Sequence, residues 1–317
     1  MASISASPIL CIGGAVVDRI LETIDAPKVA TSNPVRSRMA HGGVARNVAH
    51  NLARLGCRVS LASLIGNDAA GKGLKAAAEA AGIDCQYLRS VADARTAEYT
   101  AVFHRGELFA AFADMAIFDD WPAASMDKLA AALGDHAWVF ADCNLPSTLL
   151  AQLTEMRKSQ PFRLAVDAVS VAKSARLGKD LSHLDVLFLN RDEARAMSGS
   201  QEPEPAMRQL RERGAGCVVL TSGAAGAHAL AGGPPHWVPA AAANAVNVSG
   251  AGDALIAGTL LRLAENASLA IALEFGAACA GLALSSPEAV TADLSREKVE
   301  RSMLPERIDM RSEDAHD

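Results

Sequence analysis

The sequence is poor in several residue types and patterns, and each shortage excludes a class of protein. Aromatic residues make up 4% of the 317 residues and charged residues 21%. Lysine and arginine number 30 against 36 aspartates and glutamates, which gives a net charge of −6 and no basic excess to attract a nucleic-acid backbone or an anionic membrane. We therefore expect neither a nucleic acid polymer nor a membrane as a partner.

Paired cysteines and long apolar runs are also missing. The six cysteines, at positions 11, 57, 85, 143, 217 and 279, form no C-x-x-C pair, so neither a zinc site nor a disulfide framework is indicated. The opening stretch MASISASPIL has no basic segment followed by a long apolar one, and no apolar run reaches roughly 18 residues. These features predict reduced, mostly buried thiols and a cytoplasmic location.

What the sequence does contain is an alternation of short apolar runs with helical patterns. The runs, each followed by an alanine- and leucine-rich amphipathic segment, are PILCIGGAVVD, RVSLASLIG, HAWVFAD, FRLAVDAV, LDVLFLN and GCVVLTS. This alternation is typical of an α/β protein with a doubly wound, mainly parallel sheet, whose ligands bind beyond the carboxyl ends of the strands. Polar residues end several runs there: Asp18, Asp142, Asp167, Asn190 and Thr221.

Two stretches, at about 16–40 and 95–114, interrupt the alternation. Both have extended patterns, and the second turns near HRGE, so neither fits the helix that a parallel crossover requires. We expect them to form a small accessory sheet within one domain of residues 1–305, and residues 306–317 to be a mobile polar tail. Four side chains of the second stretch either contact a ligand or merely cover the core: Tyr99, Thr100, Phe103 and Phe112.

The stretch NAVNVSGAGDALIAGTL places Gly250, Ala251, Gly252 and Asp253 directly before an apolar helical pattern. Small residues let a ligand approach the backbone closely, and the free N–H groups of a helix's first turn bind anions. The sequence alone leaves two interpretations of Asp253. It is either a helix cap or a functional carboxylate beside an anion site.

A second glycine-rich stretch, HGGVARNVAHNLARLG, has Gly42 and Gly43 before an amphipathic helix and Asn47 in its first turn. The amide of Asn47 offers both donors and an acceptor to a ligand, although a tight turn followed by a polar residue would look the same. The nearby GNDAAGKG is almost a phosphate-binding P-loop, but Gly73 stands where a Ser or Thr must reach magnesium. We do not assign it that function.

Together these motifs resemble the ribokinase-like, or PfkB, carbohydrate kinases, and the resemblance covers nearly the whole chain. One family signature fits from Gly42 to Gly66, and a second fits NVSGAGDALIAG. Between them, NRDE resembles the family's N-x-x-E magnesium and phosphate motif, and TSGAAG resembles its nucleotide-binding T-x-G-x-x-G. The resemblance implies a ribokinase-like fold in which the two extended stretches form a lid over the sugar site. It also implies a homodimer formed through the lid.

The resemblance assigns a role to each matched residue. Asp253 would take the proton from the acceptor's primary hydroxyl, while the N–H groups around Gly250, Ala251 and Gly252 hold the transferring phosphoryl group. The residues implied to bind the acceptor are Asp18, Gly42, Gly43, Asn47 and Asn144. Those implied to bind ATP are Asn190, Glu193, Thr221, Gly223, Gly226 and Ala277, with Glu193 also orienting Mg²⁺ through water.

Within the family, the stretches CIGGAVVDR, GGVARNVAHNLARLG, ADCNLP, DAVSVAK and VNVSGAGDA are most similar to pseudouridine kinases. This implies transfer of the γ-phosphoryl group of ATP to the 5′-hydroxyl of pseudouridine. Two alternatives stay open: a kinase for another nucleoside or sugar, such as ribose or adenosine, and a catalytically silent sugar- or nucleoside-binding regulator. The intact Asp253 argues against the silent protein, since a binding module needs no base.

One departure from the ribokinase pattern concerns potassium. Asn247 stands where ribokinases usually carry an aspartate, and a neutral amide is a poorer partner for a cation than a carboxylate. The sequence therefore predicts weak dependence on potassium.

Overall fold

The apolar runs of the sequence form the strands of one large sheet. The computed structural model describes residues 7–119, 121–241, 250–286 and 288–304, and for residues 123–127 the backbone alone. Within these ranges the strands of the large sheet are β1 (Ile9–Ile12), β4 (Val59–Gly66), β5 (Leu88–Val91), β8 (Trp138–Asp142), β9 (Arg163–Asp167), β10 (Val186–Asn190), β11 (Val218–Thr221), β12 (Ala227–Leu230) and β13 (His236–Val238).

The strand order in this sheet is β13-β12-β11-β10-β9-β8-β1-β4-β5. All pairings are parallel except those of β12 with β11 and β13, which make an antiparallel edge. The chain builds outward in both directions from β1, so the connections that follow β1 and β8 diverge and leave a crevice at their carboxyl ends. The predicted doubly wound, mainly parallel fold is confirmed.

The two extended stretches form a separate four-stranded sheet. Its strands are β2 (Val16–Thr23), β3 (Val35–Gly42), β6 (Glu98–His104) and β7 (Glu107–Asp114), in the order β3-β2-β6-β7. One prediction is wrong here, because Asp18 does not end the first strand of the large sheet. That strand stops at Ile12, and Asp18 lies within β2 of the small sheet. The chain leaves the large sheet at Gly13, whose φ of 148° and close contact with Asp142 exclude a side chain.

Helices cover both faces of the large sheet. They are α1 (Val44–Arg54), α2 (Ala69–Ala80), α3 (Ala123–Leu133), α4 (Ser147–Ser159), α5 (Val171–Ser174), α6 (Arg191–Ser198), α7 (Pro203–Glu212), α8 (Ala251–Ala264), α9 (Leu269–Leu284) and α10 (Arg296–Ser302), with single 3₁₀ turns at Ala116–Phe118, Ala175–Leu177 and Gly223–Ala225.

The side chains of β1 show how the two cores are divided. Ile9 and Cys11 pack with α1, α2, α8 and α9 on one face, whereas Leu10 and Ile12 pack with α3, α4 and α7 on the other. Because both faces are covered, β1 and the bodies of β8, β10 and β11 are apolar at successive positions instead of alternating. All six cysteines are free and buried, as predicted.

Two predictions concern residues outside the described ranges. They are the polar tail, residues 306–317, and the potassium argument built on Asn247. In the part of the chain that is described, no helix is long and apolar enough to cross a membrane.

Candidate active site

The two glycine-rich motifs meet at the carboxyl edge of the large sheet. Helix α1 begins after Gly43, and α8 begins after Gly250, which adopts a left-handed conformation with φ of 85°. The Asn47 side chain on α1 donates a hydrogen bond from Nδ2 to Asp253 Oδ2 on α8, at 2.8 Å. One direct contact therefore joins residues that are 206 positions apart in the sequence.

Asp253 lies in the first turn of α8 but does not cap the helix. Gly250 occupies the N-cap position, and no side-chain hydrogen bond caps the described part of this helix start. The carboxylate points instead toward Asn47. Helix capping therefore does not account for the aspartate.

The environment of Asp253 disfavours its charged form. Although the residue keeps some contact with solvent, burial of its carboxyl raises the pKa to about 7. The Asn47 hydrogen bond and the Arg46 guanidinium oppose this shift, while the charges of Asp142 and Asp18 add to it. A carboxyl with a pKa near neutrality is suited to exchange a proton with a substrate at physiological pH.

On the small-sheet side of the crevice, Asp18 packs directly against Gly42. The two residues belong to paired strands, and a Cβ on Gly42 would overlap the Asp18 carboxylate. Gly43, with φ of 93°, is equally close to the Gly14 carbonyl. Burial raises the pKa of Asp18 to about 6, against the opposing charge of Arg46. The two glycines thus let β3 and α1 approach without pushing the carboxylate away.

A buried carboxylate, Asp142, fixes the loops around this crevice. Its Oδ2 accepts hydrogen bonds from the backbone N–H groups of Gly14 and Ala45, both at 2.9 Å, and its Oδ1 accepts from the N–H of Asn144 at 2.8 Å. The Asn144 amide lies against Gly14, and its Oδ1 accepts a hydrogen bond from Lys173 Nζ at 2.5 Å. Its oxygen is thus engaged, and its Nδ2 lies beside Gly14 and hydrogen-bonds the Asp142 carboxylate.

On the other side of the α8 start lies a cavity of about 530 Å³. The predicted nucleotide residues Thr221, Gly223, Gly226 and Ala277 line it, and so do Ala251 and Gly252. Most of its lining side chains are small and apolar, including Ala224, Ala240, Ala280 and Gly281. The shape suits a flat, largely apolar ring held by packing.

The two glycines at the start of α8 are required for different reasons. A Cβ on Gly250 would overlap the Ala289 carbonyl, so the neighbouring backbone requires glycine there. A Cβ on Gly252 would meet no atom within 4 Å, and Gly252 lines the cavity. Only the second glycine therefore leaves room for a ligand.

The predicted N-x-x-E pair lies beside this cavity but not in its lining. Asn190 ends β10 and pairs in register with Thr221, which does line the cavity. Asn190 caps α6, and Glu193 returns both carboxylate oxygens to it, accepting from the backbone N–H at 2.8 Å and from Nδ2 at 2.7 Å. Glu193 is 3% exposed, so it is not a solvent-facing helix residue.

The register of the small sheet separates the four aromatic and polar candidates of the second stretch. Asp18 pairs with Tyr99, whereas its neighbour Arg19 pairs with Thr100, and Thr100 pairs with Phe112. Successive strand residues point to opposite faces. Tyr99 therefore shares the face of Asp18, as does Phe103, while Thr100 and Phe112 lie on the opposite face.

Comparison with known proteins shows the family of the chain. The family model described as pfkB family carbohydrate kinase matches residues 7–296. The chain belongs to the pfkB family of carbohydrate kinases. A pseudouridine kinase from Escherichia coli is 28% identical over 294 residues, which cover 90% of this chain and 93% of that protein.

Solved structures show the same fold. A carbohydrate kinase from Agrobacterium tumefaciens is 32% identical with a TM-score of 0.80, covering 93% of this kinase and 96% of that chain. The ribokinase of Arabidopsis thaliana, solved in complex with ribose and ATP, has a TM-score of 0.85 at 22% identity, covering 93% and 98%. The predicted ribokinase-like fold is confirmed, and the chain is a sugar or nucleoside kinase, a phosphotransferase with an alcohol acceptor.

Several charged groups at the site of this kinase lie outside the predicted motifs. The sequence marks Asp142 and Asp167 only as polar strand ends and gives Arg46 no role. Asp167 lies at the end of β9, and burial of its carboxyl with the nearby charges of Glu193 and Asp253 raises its pKa. Arg46 adjoins Asn47 in the sequence, and this adjacency is the signal by which it could have been found.

We predict that Asp253→Asn lowers kcat by roughly 10² to 10⁴-fold while nucleotide affinity changes only a few-fold, because the amide cannot accept the proton. The fold survives, since no cap is lost. Steady-state kinetics and nucleotide titration measure both effects. Glu204→Gln, which neutralises an acidic first-turn residue on the exposed start of α7, is the control and keeps full activity.

The same substitution has a pH-dependent effect on stability. Because burial raises the pKa of Asp253 in the folded state, ionising it costs stability that grows from about pH 4 to about pH 7. The neutral amide avoids this cost, so Asp253→Asn gains thermal stability over the wild type, and the gain is larger at pH 8 than at pH 5. Equal Tm differences at the two pH values would contradict the burial of the charge.

We predict that Gly42→Ala raises KM for the acceptor about tenfold or more, with a smaller effect on kcat, because the new methyl group displaces Asp18. Gly73→Ala is the matched control. Its Cβ would lie 3.7 Å from His41 Nε2, an ordinary contact, and alanine favours the helix by about 0.5 to 1 kcal/mol. If the Gly42→Ala variant folds and its KM for the acceptor is unchanged, Asp18 does not bind the acceptor.

Proposed function

We propose that the protein is an ATP-dependent pseudouridine kinase that transfers the γ-phosphoryl group to the 5′-hydroxyl of pseudouridine. The observation that carries the kinase chemistry is the contact between Asn47 and Asp253 at the open end of α8, with an apolar cavity on one side and Asp18 on the other. The choice of pseudouridine rests on similarity to pseudouridine kinases along the chain, including the Escherichia coli enzyme.

The acceptor binds in the crevice between the small sheet and α1. Asp18 accepts hydrogen bonds from sugar hydroxyls, and Gly42 leaves the space that the Asp18 carboxylate needs. Asn144 contributes an N–H donor from the opposite wall, where Lys173 holds its oxygen. Polar groups on both walls fix the sugar so that its primary hydroxyl reaches Asp253.

The chemistry takes place at the start of α8. Asp253 takes the proton of the attacking hydroxyl, and the first-turn N–H groups of Ala251 and Gly252, which have no partner within the helix, stabilise the negative charge of the transferring phosphoryl group. Asn47 holds the carboxylate oxygen in place through its 2.8 Å hydrogen bond. Because burial raises the pKa of the carboxyl to about 7, the ionised form readily accepts this proton.

The nucleotide occupies the 530 Å³ cavity, with the adenine packed among small apolar residues and Thr221 near the phosphates. The donor set also fits a hydrated magnesium ion. No cluster of three or more His, Cys, Asp or Glu side chains in the described ranges could enclose a metal, and Mg²⁺ typically keeps waters and binds one or two carboxylates plus phosphates. Glu193 and Asn190 would orient it through water, and its charge would neutralise the phosphates.

The small sheet acts as a lid that also joins two subunits. Its face opposite Asp18 carries Met39 and Phe112, each 65% exposed, in one cross-strand row with Arg19 and Thr100. Phe109 on the bulged edge strand is also more than half exposed, whereas Leu108 pairs with Phe103 and therefore belongs to the Asp18 face. Exposed apolar side chains mark association sites, and a second lid offers a matching surface.

The substrate assignment is tested by assaying ADP formation with Mg·ATP and a panel of pseudouridine, uridine, adenosine and ribose, with Asp253→Asn as the inactive control. We expect pseudouridine to be phosphorylated far better than ribose or uridine. Equal or better turnover of ribose or adenosine would make the protein another sugar or nucleoside kinase. Binding of a ligand without any ADP formation would make it a silent regulator.

The dimer is tested by light scattering of the protein as it elutes from a size-exclusion column. We expect the wild type to have a mass of twice 32.9 kDa and the Phe112→Glu variant to have the mass of one chain. The new charge at position 112 opposes the pairing of two lids. Ile271→Glu, which alters an exposed apolar residue on α9, leaves the mass unchanged. A monomeric wild type, or a dimeric Phe112→Glu variant, would refute pairing through the lid.

A further inference from the structure

Arg46 brings a buried positive charge to the candidate active site. The residue is 5% exposed, and its Nη1 donates to the His41 carbonyl at 2.7 Å and to Asn47 Oδ1 at 2.9 Å. Its Nη2 lies 3.0 Å from His50 Nδ1, while Nε has no hydrogen-bond partner in the described part of the chain. Burying a guanidinium with an unused donor is costly, which calls for a functional reason.

The contact between Arg46 and Asn47 decides how the Asn47 amide is turned. A guanidinium only donates, so the amide group facing it must be the oxygen. The nitrogen then faces Asp253 Oδ2, as observed. In the flipped amide, Nδ2 would oppose the Arg46 donor and Oδ1 would oppose the Asp253 carboxylate, so that both hydrogen bonds would become repulsive contacts. Arg46 therefore selects one orientation.

The guanidinium also acts on two carboxylates at once. Its charge lowers the pKa of both Asp18 and Asp253, and these two acids raise the pKa of Arg46, which burial nevertheless brings down to about 10. Arg46 thus offsets the negative charge of both acids, and Arg38 adds to this effect at Asp18.

We propose that Arg46 is a positioning residue for phosphoryl transfer, which fixes the Asn47 amide and through it the Asp253 carboxylate. The inference rests on the proposed role of Asp253 as the base. Arg46 does not touch the reacting atoms. Its effect passes through the hydrogen bond from Asn47 and through its charge.

The groups that face Arg46 come from four elements: Asp18 on β2, His41 on β3, His50 on α1 and Asp253 on α8. Burial lowers the pKa of His41, and burial with neighbouring positive charges lowers that of His50 to about 4. Both histidines are therefore neutral near pH 7. Among the groups that face the Arg46 guanidinium, only the carboxyls of Asp18 and Asp253 change their charge near neutral pH.

The test compares Arg46→Gln, Arg46→Lys and the control Arg54→Gln, which removes an exposed guanidinium from the same helix. The pKa of Asp253 is measured by ¹³C NMR of labelled aspartate carboxyls, assigned with Asp253→Asn. We expect Arg46→Gln to raise this pKa by about one unit, because a nearby opposite charge is lost. Arg46→Lys keeps the charge and leaves the pKa within a few tenths, and Arg54→Gln has no effect.

Measurement of kcat separates the geometric effect of Arg46 from the effect of its charge. With pseudouridine, or the panel acceptor that the wild type uses best, kcat falls roughly 10 to 100-fold in Arg46→Gln. It also falls several-fold in Arg46→Lys, because an ammonium group cannot span the three acceptors. Arg54→Gln keeps the wild-type kcat.

A double-mutant cycle with Asn47→Ala shows whether Arg46 acts through Asn47. We expect Arg46→Gln to cost less than about threefold in the Asn47→Ala background, since their shared function is already lost. Fully additive losses would overturn the proposal, and so would an unchanged Asp253 pKa in Arg46→Gln. If the Arg46→Gln variant does not fold, the kcat of Arg46→Lys is the test. A wild-type kcat in Arg46→Lys would refute the positioning role.

A wrong assignment of the function can be distinguished from a wrong assignment of the role of Arg46. A wild type that phosphorylates no member of the panel refutes the kinase assignment, whereas the NMR titration still shows whether Arg46 controls the Asp253 carboxyl.

Discussion

The hydrogen bond between Asn47 and Asp253 is the contact on which the rest of the site depends. It joins the first turns of α1 and α8, which are supplied by opposite ends of the chain. With the two helix starts held together, the acceptor crevice and the nucleotide cavity open on either side of one carboxylate. A movement of α1 relative to α8 would separate the base from both substrates. The distance between the Asn47 and Asp253 side chains therefore determines whether the site is assembled.

Buried carboxylates provide the surrounding rigidity and set the chemistry. Asp142 ties the loop after β1, the start of α1 and the loop after β8 through three backbone N–H groups. Such hydrogen bonds satisfy a buried charge that would otherwise be costly. Asp253 has only the Asn47 amide as a hydrogen-bond partner in the described ranges. Its proton affinity is correspondingly high, as a general base requires.

The sequence was informative where local patterns decide the outcome. Short apolar runs predicted the large sheet, and two extended stretches predicted the separate small one. Asp18 was misplaced because Gly13 and Gly14 look like the interior of one long run, although Asp142, far along the chain, makes the strand stop there. The roles of Arg46 and Asp142 could not be predicted for the same reason. Each depends on partners that only the folded chain brings together.

The pH dependence of wild-type kcat/KM shows whether the Asp253 carboxyl acts as the base. A base must be ionised, so kcat/KM rises from pH 5 and levels off above an apparent pKa near 7, where burial places Asp253, with Asp18 steepening the rise near pH 6. A profile that is flat between pH 5 and pH 8 would contradict the account.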